Sequence, residues 1–195
     1  MSKEQQQKCS EDMDDNNVAV EVQKGKTECF DILIERYDEK LFYYVMRFVK
    51  NEDEARDIVQ NVFVKTLKHI ESFDANKKFS SWIYRIAHNE TMNWLTRSPH
   101  RKNVSIDAED EYLEISDTTS ATLDEWFQIE LRDELEDAVA QLSDNYAQVI
   151  RLRYFEDKSY KEISEIIDKP TSSVGTLLRR AKKQLLQIVL ESEKF

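Results

Sequence analysis

The fold of this chain is decided by residues 160–185, YKEISEIIDKPTSSVGTLLRRAKKQL. Three isoleucines form one apolar face at helical spacing, and Pro170 marks a tight turn after them. A second apolar face follows the turn, at Val174, Leu178, Ala181 and Leu185. Two amphipathic helices joined by a tight turn are typical of a helix-turn-helix, which we place at about residues 160–179.

The opposite face of the second helix is polar and basic, at Ser172, Ser173, Thr176, Arg179, Arg180 and Lys183. Short hydroxyl side chains let a recognition helix enter the major groove, and longer cations reach base edges and phosphates. These six residues are therefore candidates for contact with duplex DNA. An ordinary solvated helix end can carry the same pattern, because cations there stabilise the helix dipole. The pattern alone leaves the choice open.

The rest of the chain is also helical by composition and spacing. Only 2 Gly and 2 Pro occur among 195 residues, whereas the two together average about 12% of ordinary sequences. Apolar residues recur at spacings of three and four in residues 30–48, 51–70, 80–97 and 121–142. We therefore predict an all-α protein. Asn51 is the expected cap of the second of these helices, whose buried stripe includes Leu67.

Composition divides the chain into four segments. Residues 1–16 are polar and acidic, so a disordered acidic tail is expected. Residues 17–97 are predicted to form a first helical domain, and residues 98–120, which contain Pro99, a flexible linker. Residues 121–195 are predicted to form a second helical domain with the helix-turn-helix. The expected fold is two small helical domains joined by an acidic flexible linker.

The net charge of −11 does not exclude nucleic acid as a partner. Residues 98–140 contain 3 basic and 13 acidic side chains, which gives −10 for that segment alone. The segments on either side of it that hold candidate DNA contacts are neutral or slightly positive. The excess acid is therefore separated from the surfaces that would meet DNA.

Cysteine content and hydropathy bound the location of the protein. Cys9 and Cys29 are too few for a disulfide framework, and Cys29 is expected as a small buried hydrophobe. The longest apolar stretch, residues 41–46, is far shorter than the roughly 20 residues of a membrane-spanning helix. The first fifteen residues have no apolar signal core. We therefore expect a cytoplasmic protein without membrane insertion.

No catalytic constellation is present in the sequence. Gly25, Lys26 and Thr27 look like the end of a phosphate-binding loop, but Val20 stands where its first glycine would be. The three histidines are not spaced as metal ligands or beside a nucleophile, at His69, His88 and His100. We expect no metal, no cofactor and no enzymatic activity.

Four stretches together carry a resemblance to a known family. They are QKGKTECFDILIERYDEKLF (23–42), EDEARDIVQNVFVK (52–65), FDANKKFSSWIYRIAHNETMNWL (73–95) and residues 142–185, which include the helix-turn-helix. From about Asn17 onward, the chain resembles the extracytoplasmic-function sigma factors of bacteria. These small sigma factors have only regions 2 and 4, which correspond here to residues 17–97 and 121–195.

The resemblance implies a subunit that binds core RNA polymerase and directs promoter recognition, DNA melting and transcription initiation. An anti-sigma factor is a further partner that relatives commonly have. The segment that docks on polymerase in this family corresponds to an exposed helix face at Asp53, Arg56, Asp57, Gln60 and Asn61. The alternative interpretation of these five residues is an ordinary solvated helix face.

The resemblance also implies that the first domain binds the minus-10 promoter element as a single strand. The candidates are Asn76, Lys77, Lys78, Arg85, Asn89 and Asn93. In relatives, the loop that corresponds to residues 74–78 captures a flipped base, and Asn76 is our choice for hydrogen bonding it. Five aromatic residues interleave with cations here as single-strand binding needs, at Phe73, Phe79, Trp82, Tyr84 and Trp94. Among these, Trp82 is expected to pack in the core.

The second domain would bind the minus-35 element as duplex through the six polar residues of the recognition helix. Arg151 or Arg153 could add a phosphate contact. Gly175 and Leu177 stand where many relatives have Lys and Arg. Gly175 either permits close approach to the DNA backbone or is tolerated drift, and the sequence does not separate the two. The acidic linker is either directed to the polymerase cleft or a solvated tether.

Two other functions remain as alternatives. A stand-alone helix-turn-helix regulator would dimerise and bind duplex DNA unaided, with half-sites about one helical turn apart. A helical adaptor that binds only proteins would show no dependence on DNA, and it would leave the loop at residues 74–78 without a role.

Overall fold

The computed structural model describes residues 9–97 and 132–192. Within these ranges the chain is helical and contains no strand, as predicted. It divides into two compact units, the first ending at Arg97 and the second beginning at Ser98. The predicted linker at 98–120, the first eight residues and the predicted helical positions Leu123, Phe127 and Leu131 lie outside the described residues.

The first unit is built from four α-helices: α1 (Asp15–Gln23), α2 (Phe30–Val49), α3 (Glu52–Lys68) and α4 (Phe79–Arg97). Short 3₁₀ turns lie at Thr27–Cys29 and Ile70–Ser72. The helices α2, α3 and α4 pack against one another, and α1 packs on α2 and α4. The largest side chains that are fully buried between them are Leu33, Leu41, Tyr44, Phe79, Ile83 and Tyr84.

The helix ends of this unit follow local rules. Asn51 caps α3 as predicted, because its Oδ1 accepts a hydrogen bond of 3.0 Å from the Glu54 amide. Gly25 forms the turn after α1 with φ of 95°, a left-handed conformation that glycine adopts without steric cost. Beside this turn, hydrogen bonds from the Lys24 and Lys26 ammonium groups lower the pKa of Glu21 to about 2.

The expectation of a disordered tail over residues 1–16 is wrong for residues 9–16. Cys9 forms a disulfide with Cys29, whose Cα lies 5.5 Å away, and the Arg36 guanidinium donates to the main-chain oxygen of Glu11. The helix α1 begins at Asp15. Cys29 is buried as predicted but is also covalently bonded. A covalent bond and polar contacts hold this segment, and polar composition does not reveal either.

The second unit contains α5 (Arg132–Val139), α6 (Asp144–Ile150), α7 (Tyr160–Ile167) and α8 (Thr171–Ser192). A π-helical turn at Arg151–Phe155 continues α6. Its core contains the apolar faces predicted for the helix-turn-helix, with Ile163, Ile166, Val174, Leu178, Ala181 and Leu185 buried. Leu135, Ala138 and Leu142 are also buried.

The helix-turn-helix consists of α7, α8 and the turn between them. A capping box begins α7, in which the Ser159 amide donates to Glu162 Oε2 at 2.9 Å and the Glu162 amide donates to Ser159 Oγ at 3.3 Å. Asp168 ends α7 in the left-handed conformation with φ of 54°. Pro170 directly precedes α8, where a missing amide hydrogen costs little.

Candidate protein and nucleic-acid interfaces

The five residues predicted to dock on polymerase lie exposed on one helix. Asp53, Arg56, Asp57, Gln60 and Asn61 are all exposed on α3, at spacings that bring them to one side. The Arg56 guanidinium lies 4.4 Å from the centre of the Phe42 ring on α2 and pairs with Glu52 at 2.9 Å. This cation–π contact fixes a cation at the edge of α2.

An apolar groove of about 510 Å³ runs beside this face, between α2 and α3. Arg56 and Gln60 line it together with apolar side chains at Phe30, Ile34, Phe42, Val59, Phe63, Val64 and Leu67. Val64 is 60% exposed, and Leu67 is 38% exposed. The prediction that Leu67 is buried is wrong, because the side of α3 on which it lies opens into the groove.

Sequence reasoning missed the apolar part of this surface. Val64 stands four residues after Gln60, and Leu67 stands three residues after Val64, so both continue the face that carries the polar candidates. That spacing is the available signal. Leu67 is instead predicted to be buried, because an apolar residue at helical spacing usually is, and Val64 is assigned to neither surface.

The loop at residues 74–78 is fully exposed and is shaped by its own residues. Asp74 Oδ1 accepts hydrogen bonds from the Asn76 amide at 3.0 Å and from Asn76 Nδ2 at 2.9 Å. These bonds lower the pKa of Asp74, because they stabilise its charged form. The Lys77 amide then donates to the Asp74 carbonyl at 2.9 Å. The loop is therefore a compact turn that presents Asn76, Lys77 and Lys78 to solvent.

The remaining minus-10 candidates lie on α4, the helix that follows this loop. Arg85, Asn89 and Asn93 stand four residues apart and share one face. Asn89 and Asn93 are exposed, and Arg85 is half-buried. The loop and this face belong to the same compact unit.

The expectation that aromatic residues other than Trp82 are available to hold bases is wrong for three of the remaining four. Phe73, Phe79 and Tyr84 are no more than 5% exposed and belong to the core. Trp82 packs in this cluster as predicted, with its ring centroid 5.4 Å from that of Phe73 and 5.9 Å from that of Phe79. Trp94 is half-buried. Aromatic residues flank the loop because they anchor its two ends to the core.

The six minus-35 candidates lie on one face of α8. Ser172, Thr176 and Arg179 are exposed, and Ser173, Arg180 and Lys183 are half-buried. Their spacings of three, four and seven residues bring them together on a helix.

Of the two arginines expected to offer an additional phosphate contact, one is placed differently from that expectation. Arg151 is buried and pairs with Glu136 at 2.6 Å. The expectation that Arg151 could contact a phosphate is therefore wrong. The neighbouring Arg153 is half-buried, and its guanidinium lies 6.0 Å from the Tyr154 ring centre. A Cβ atom added at Gly175 would lie 3.8 Å from Tyr160 Cε2, an ordinary van der Waals distance. Gly175 therefore faces α7.

Within the described ranges, no helix has both the length and the apolar content that crossing a membrane requires.

Two family sequence patterns match this chain. The pattern "Sigma-70 region 2" matches residues 33–100, and the pattern "Sigma-70, region 4" matches residues 132–185. The first spans α2, α3, the loop and α4, and the second spans the helix-turn-helix. Fold and sequence together define a bacterial sigma factor with these two regions.

Relatives of known function are similar in sequence to this chain over most of their length. The ECF RNA polymerase sigma factor SigW of Bacillus subtilis is 31% identical over 177 residues, which cover 85% of this chain and 91% of that protein. The ECF RNA polymerase sigma-E factor of Escherichia coli is 32% identical over 185 residues, which cover 90% and 94%. The chain belongs to the ECF family of RNA polymerase sigma factors. It binds core RNA polymerase and directs promoter recognition, DNA melting and transcription initiation.

Solved structures show the same fold. CnrH, in complex with the cytosolic domain of CnrY, matches with a TM-score of 0.67 over 90% of this chain and 96% of that chain, at 19% identity. The sigma factor RpoE of Bartonella quintana, in complex with the anti-sigma factor NepR, matches with a TM-score of 0.58 over 82% and 96%, at 18% identity.

Proposed function

We propose that the first unit docks on core polymerase through α3 and the groove beside it. The observation that carries this proposal is the contiguity of the exposed polar candidates of α3 with exposed Val64 and Leu67. An apolar groove with a polar rim is the composition of a protein-binding surface. Docking would bury the groove, and the charges at its rim would set the orientation of the partner.

The same unit would read the minus-10 element through the loop at residues 74–78 and the polar face of α4. The Asp74–Asn76 hydrogen bonds hold the amide that would contact a flipped base. Lys77 and Lys78 would bind phosphates on either side of that base. Since three of the five aromatic residues are buried and Trp82 packs against two of them, stacking would rely on Trp94, and recognition would rest mainly on hydrogen bonds.

The second unit would read the minus-35 element in the major groove through α8. The exposed side chains of Ser172, Thr176 and Arg179 would approach base edges. The cations of Arg180 and Lys183 would bind phosphates and position the helix.

Transcription reconstituted from purified components tests whether the first unit reads the minus-10 element and the second unit the minus-35 element. The full chain and core polymerase are mixed with promoters selected from a random-sequence library, and run-off transcripts are sequenced. The proposal requires that the transcribed promoters share two sequence elements. Substitutions in the loop should alter the preference for one element, and substitutions on α8 should alter the preference for the other. If neither preference changes, the proposal is refuted.

We further propose that the protein acts in the cytoplasm as a non-catalytic subunit under the control of an anti-sigma factor, as the family resemblance implies. The full chain carrying an affinity tag would capture this partner from its source cells. Addition of the purified partner to the run-off reaction should abolish the transcript, and excess chain should restore it. A captured protein without effect on transcription would contradict this regulation.

A further inference from the structure

The loop that presents Asn76 has no buried side chain of its own to anchor it. Every residue from Asp74 to Lys78 is exposed, so packing does not fix the conformation of the loop. Besides the hydrogen bonds within the turn, two amide side chains of α1 hold the main chain of the loop and of the segment before it. The helix α1 carries none of the predicted site residues.

Asn16, in the first turn of α1, bonds the loop at three points. Its Nδ2 donates to the carbonyl of Ala75 at 3.1 Å and to the carbonyl of Lys77 at 2.7 Å. Its Oδ1 accepts from the amide of Phe79 at 2.8 Å. Both donors of the amide and its acceptor are therefore used.

The third of these bonds completes a helix that lacks a cap of its own. Lys78 directly precedes α4, and its side chain has no acceptor for a first-turn amide. The first amides of a helix need such an acceptor. Asn16 supplies one from a different helix, so the start of α4 and the end of the loop are held by one residue.

Gln23, at the other end of α1, bonds the chain before the loop. Its Nε2 donates to the carbonyl of Ile70 at 2.8 Å and to that of Phe73 at 2.9 Å. Asn16 and Gln23 stand seven residues apart, about 10 Å along the helix axis. One rigid helix therefore holds both ends of the loop.

The helix α1 is itself fixed on α2. Asp15 Oδ1 accepts a hydrogen bond from the Arg36 guanidinium at 2.6 Å, and its Oδ2 accepts one from the Tyr37 hydroxyl at 2.5 Å. The Cys9–Cys29 disulfide ties the preceding segment to the start of α2. The loop thus takes its position from α2, the helix that also forms one wall of the groove.

We propose that Asn16 and Gln23 are positioning residues for base recognition by the loop at residues 74–78. This inference rests on the proposed role of that loop at the minus-10 element. A base that leaves its stack loses the free energy of stacking and pairing, so a preformed pocket is needed to compensate. Without these anchors the loop would have to become ordered when it binds the base, and the loss of conformational entropy would oppose binding.

The test measures discrimination between bases, which a purely structural role would leave unchanged. The full chain is assembled with core polymerase on a selected promoter, and run-off yield is compared for all four bases at each minus-10 position. Asn16→Ala removes all three bonds. Asn16→Asp keeps the acceptor for the Phe79 amide but places a carboxylate against two carbonyls. At the captured position, both variants should lower the ratio of run-off yields between the preferred base and the other bases about tenfold. That factor corresponds to the free energy of one hydrogen bond.

The matched control is Asn17→Ala. Asn17 is the exposed neighbour of Asn16, and its side chain bonds Asp14 within the same turn. It should discriminate as the wild type does. If both Asn16 variants match Asn17→Ala, or lower the yield by one factor for all four bases, the positioning role is wrong.

A second anchor keeps the inference testable if the Asn16 variants fold poorly. Gln23→Met keeps the size of the side chain and removes both donors, and Lys24→Met is its exposed control. Gln23→Met should also lower discrimination, and unchanged discrimination would overturn the inference. Asn76→Ala, measured in parallel, tests the proposed base contact separately. If Asn76→Ala lowers discrimination while the Asn16 and Gln23 variants do not, the positioning role is refuted and the proposed base contact stands.

Discussion

His88 is a titratable residue in the core of the first unit, where its Nδ1 lies 3.1 Å from the Tyr44 hydroxyl oxygen. Burial lowers the pKa of His88 to about 4, because the charged ring would lose its hydration. The unfolded chain binds this proton near the ordinary value of about 6.5. Between these two pKa values the unfolded state carries a proton that the folded state lacks.

We predict that the free energy of unfolding decreases as the pH falls from about 6.5 to about 4. The contribution of His88 is up to about 1.4 kcal/mol per pH unit in this window. Urea unfolding followed by tryptophan fluorescence measures it, since Trp82 and Trp94 lie in this unit. His88→Gln removes the titration, so the difference between the two proteins isolates the effect. Equal pH dependence in both would contradict the prediction.

Gly175 is a residue for which the sequence leaves two interpretations open and the structure supplies a test. An added Cβ atom would meet the Tyr160 ring of α7 at an ordinary 3.8 Å. Packing within the second unit therefore does not require a glycine here.

Gly175→Ala should stabilise the second unit by up to about 1 kcal/mol, the difference in helix propensity between the two residues. Thermal unfolding should show a higher Tm, and run-off transcription should be unchanged. A loss of transcript despite the higher Tm would restore the interpretation that the glycine admits the DNA backbone.

At the scale of elements, the surface formed by α2 and α3 yields a prediction about polymerase binding. Val64 is 60% exposed at the groove. Val64→Asp places a charge where the proposed interface is apolar, and it should weaken binding to core polymerase at least about tenfold. Val64→Thr keeps the shape and should stay within about threefold of the wild type. Fluorescence anisotropy of the labelled chain measures both, and equal affinities would place Val64 outside the interface.

Helix positions were largely predictable, because spacing and caps are local properties. Asn51 caps α3, and Pro170 precedes the recognition helix, as the sequence indicates. Burial of individual side chains was less predictable, because it depends on which faces find partners. Leu67 lines an open groove, whereas Arg151 is buried by its pairing with Glu136. The spacing of apolar residues in the sequence predicts the side of the helix on which a side chain lies, but not which neighbouring element covers it.

The shared helix faces of the polar candidates were predictable, but the contacts that support the loop were not. All six recognition-helix candidates share one face, and the loop candidates are exposed. The contacts of Asn16 with residues about 60 positions away carry no local signal. The same holds for the Cys9–Cys29 pairing. Aromatic residues near the loop suggested stacking, but Phe73 and Phe79 anchor the loop instead.

At the scale of the whole molecule, the uneven charge determines how salt acts on promoter binding. The chain carries −11 overall, while α8 presents cations at Arg179, Arg180 and Lys183. A strongly acidic chain gains little from long-range attraction to DNA, so each phosphate contact should be visible in the salt dependence of the assembled holoenzyme.

Lys183→Ala should weaken promoter binding by the holoenzyme and reduce the slope of log K against log salt by about 1. Lys182→Ala is the matched control, because the Lys182 ammonium lies 5.2 Å from the centre of the Tyr154 ring. It should leave the slope unchanged. Filter binding at several salt concentrations measures both variants, and an unchanged slope for Lys183→Ala would place that side chain off the DNA.

The hydrogen bonds that Asn16 and Gln23 make with the loop region end on main-chain atoms only, at Ile70, Phe73, Ala75, Lys77 and Phe79. Main-chain atoms are the same whatever side chain follows, so substitutions in the loop leave these bonds from α1 intact. Duplicated copies of such a gene can therefore diverge in promoter preference through a few changes in the loop without losing this part of its support. The same independence makes the loop an exchangeable part for the design of orthogonal promoters.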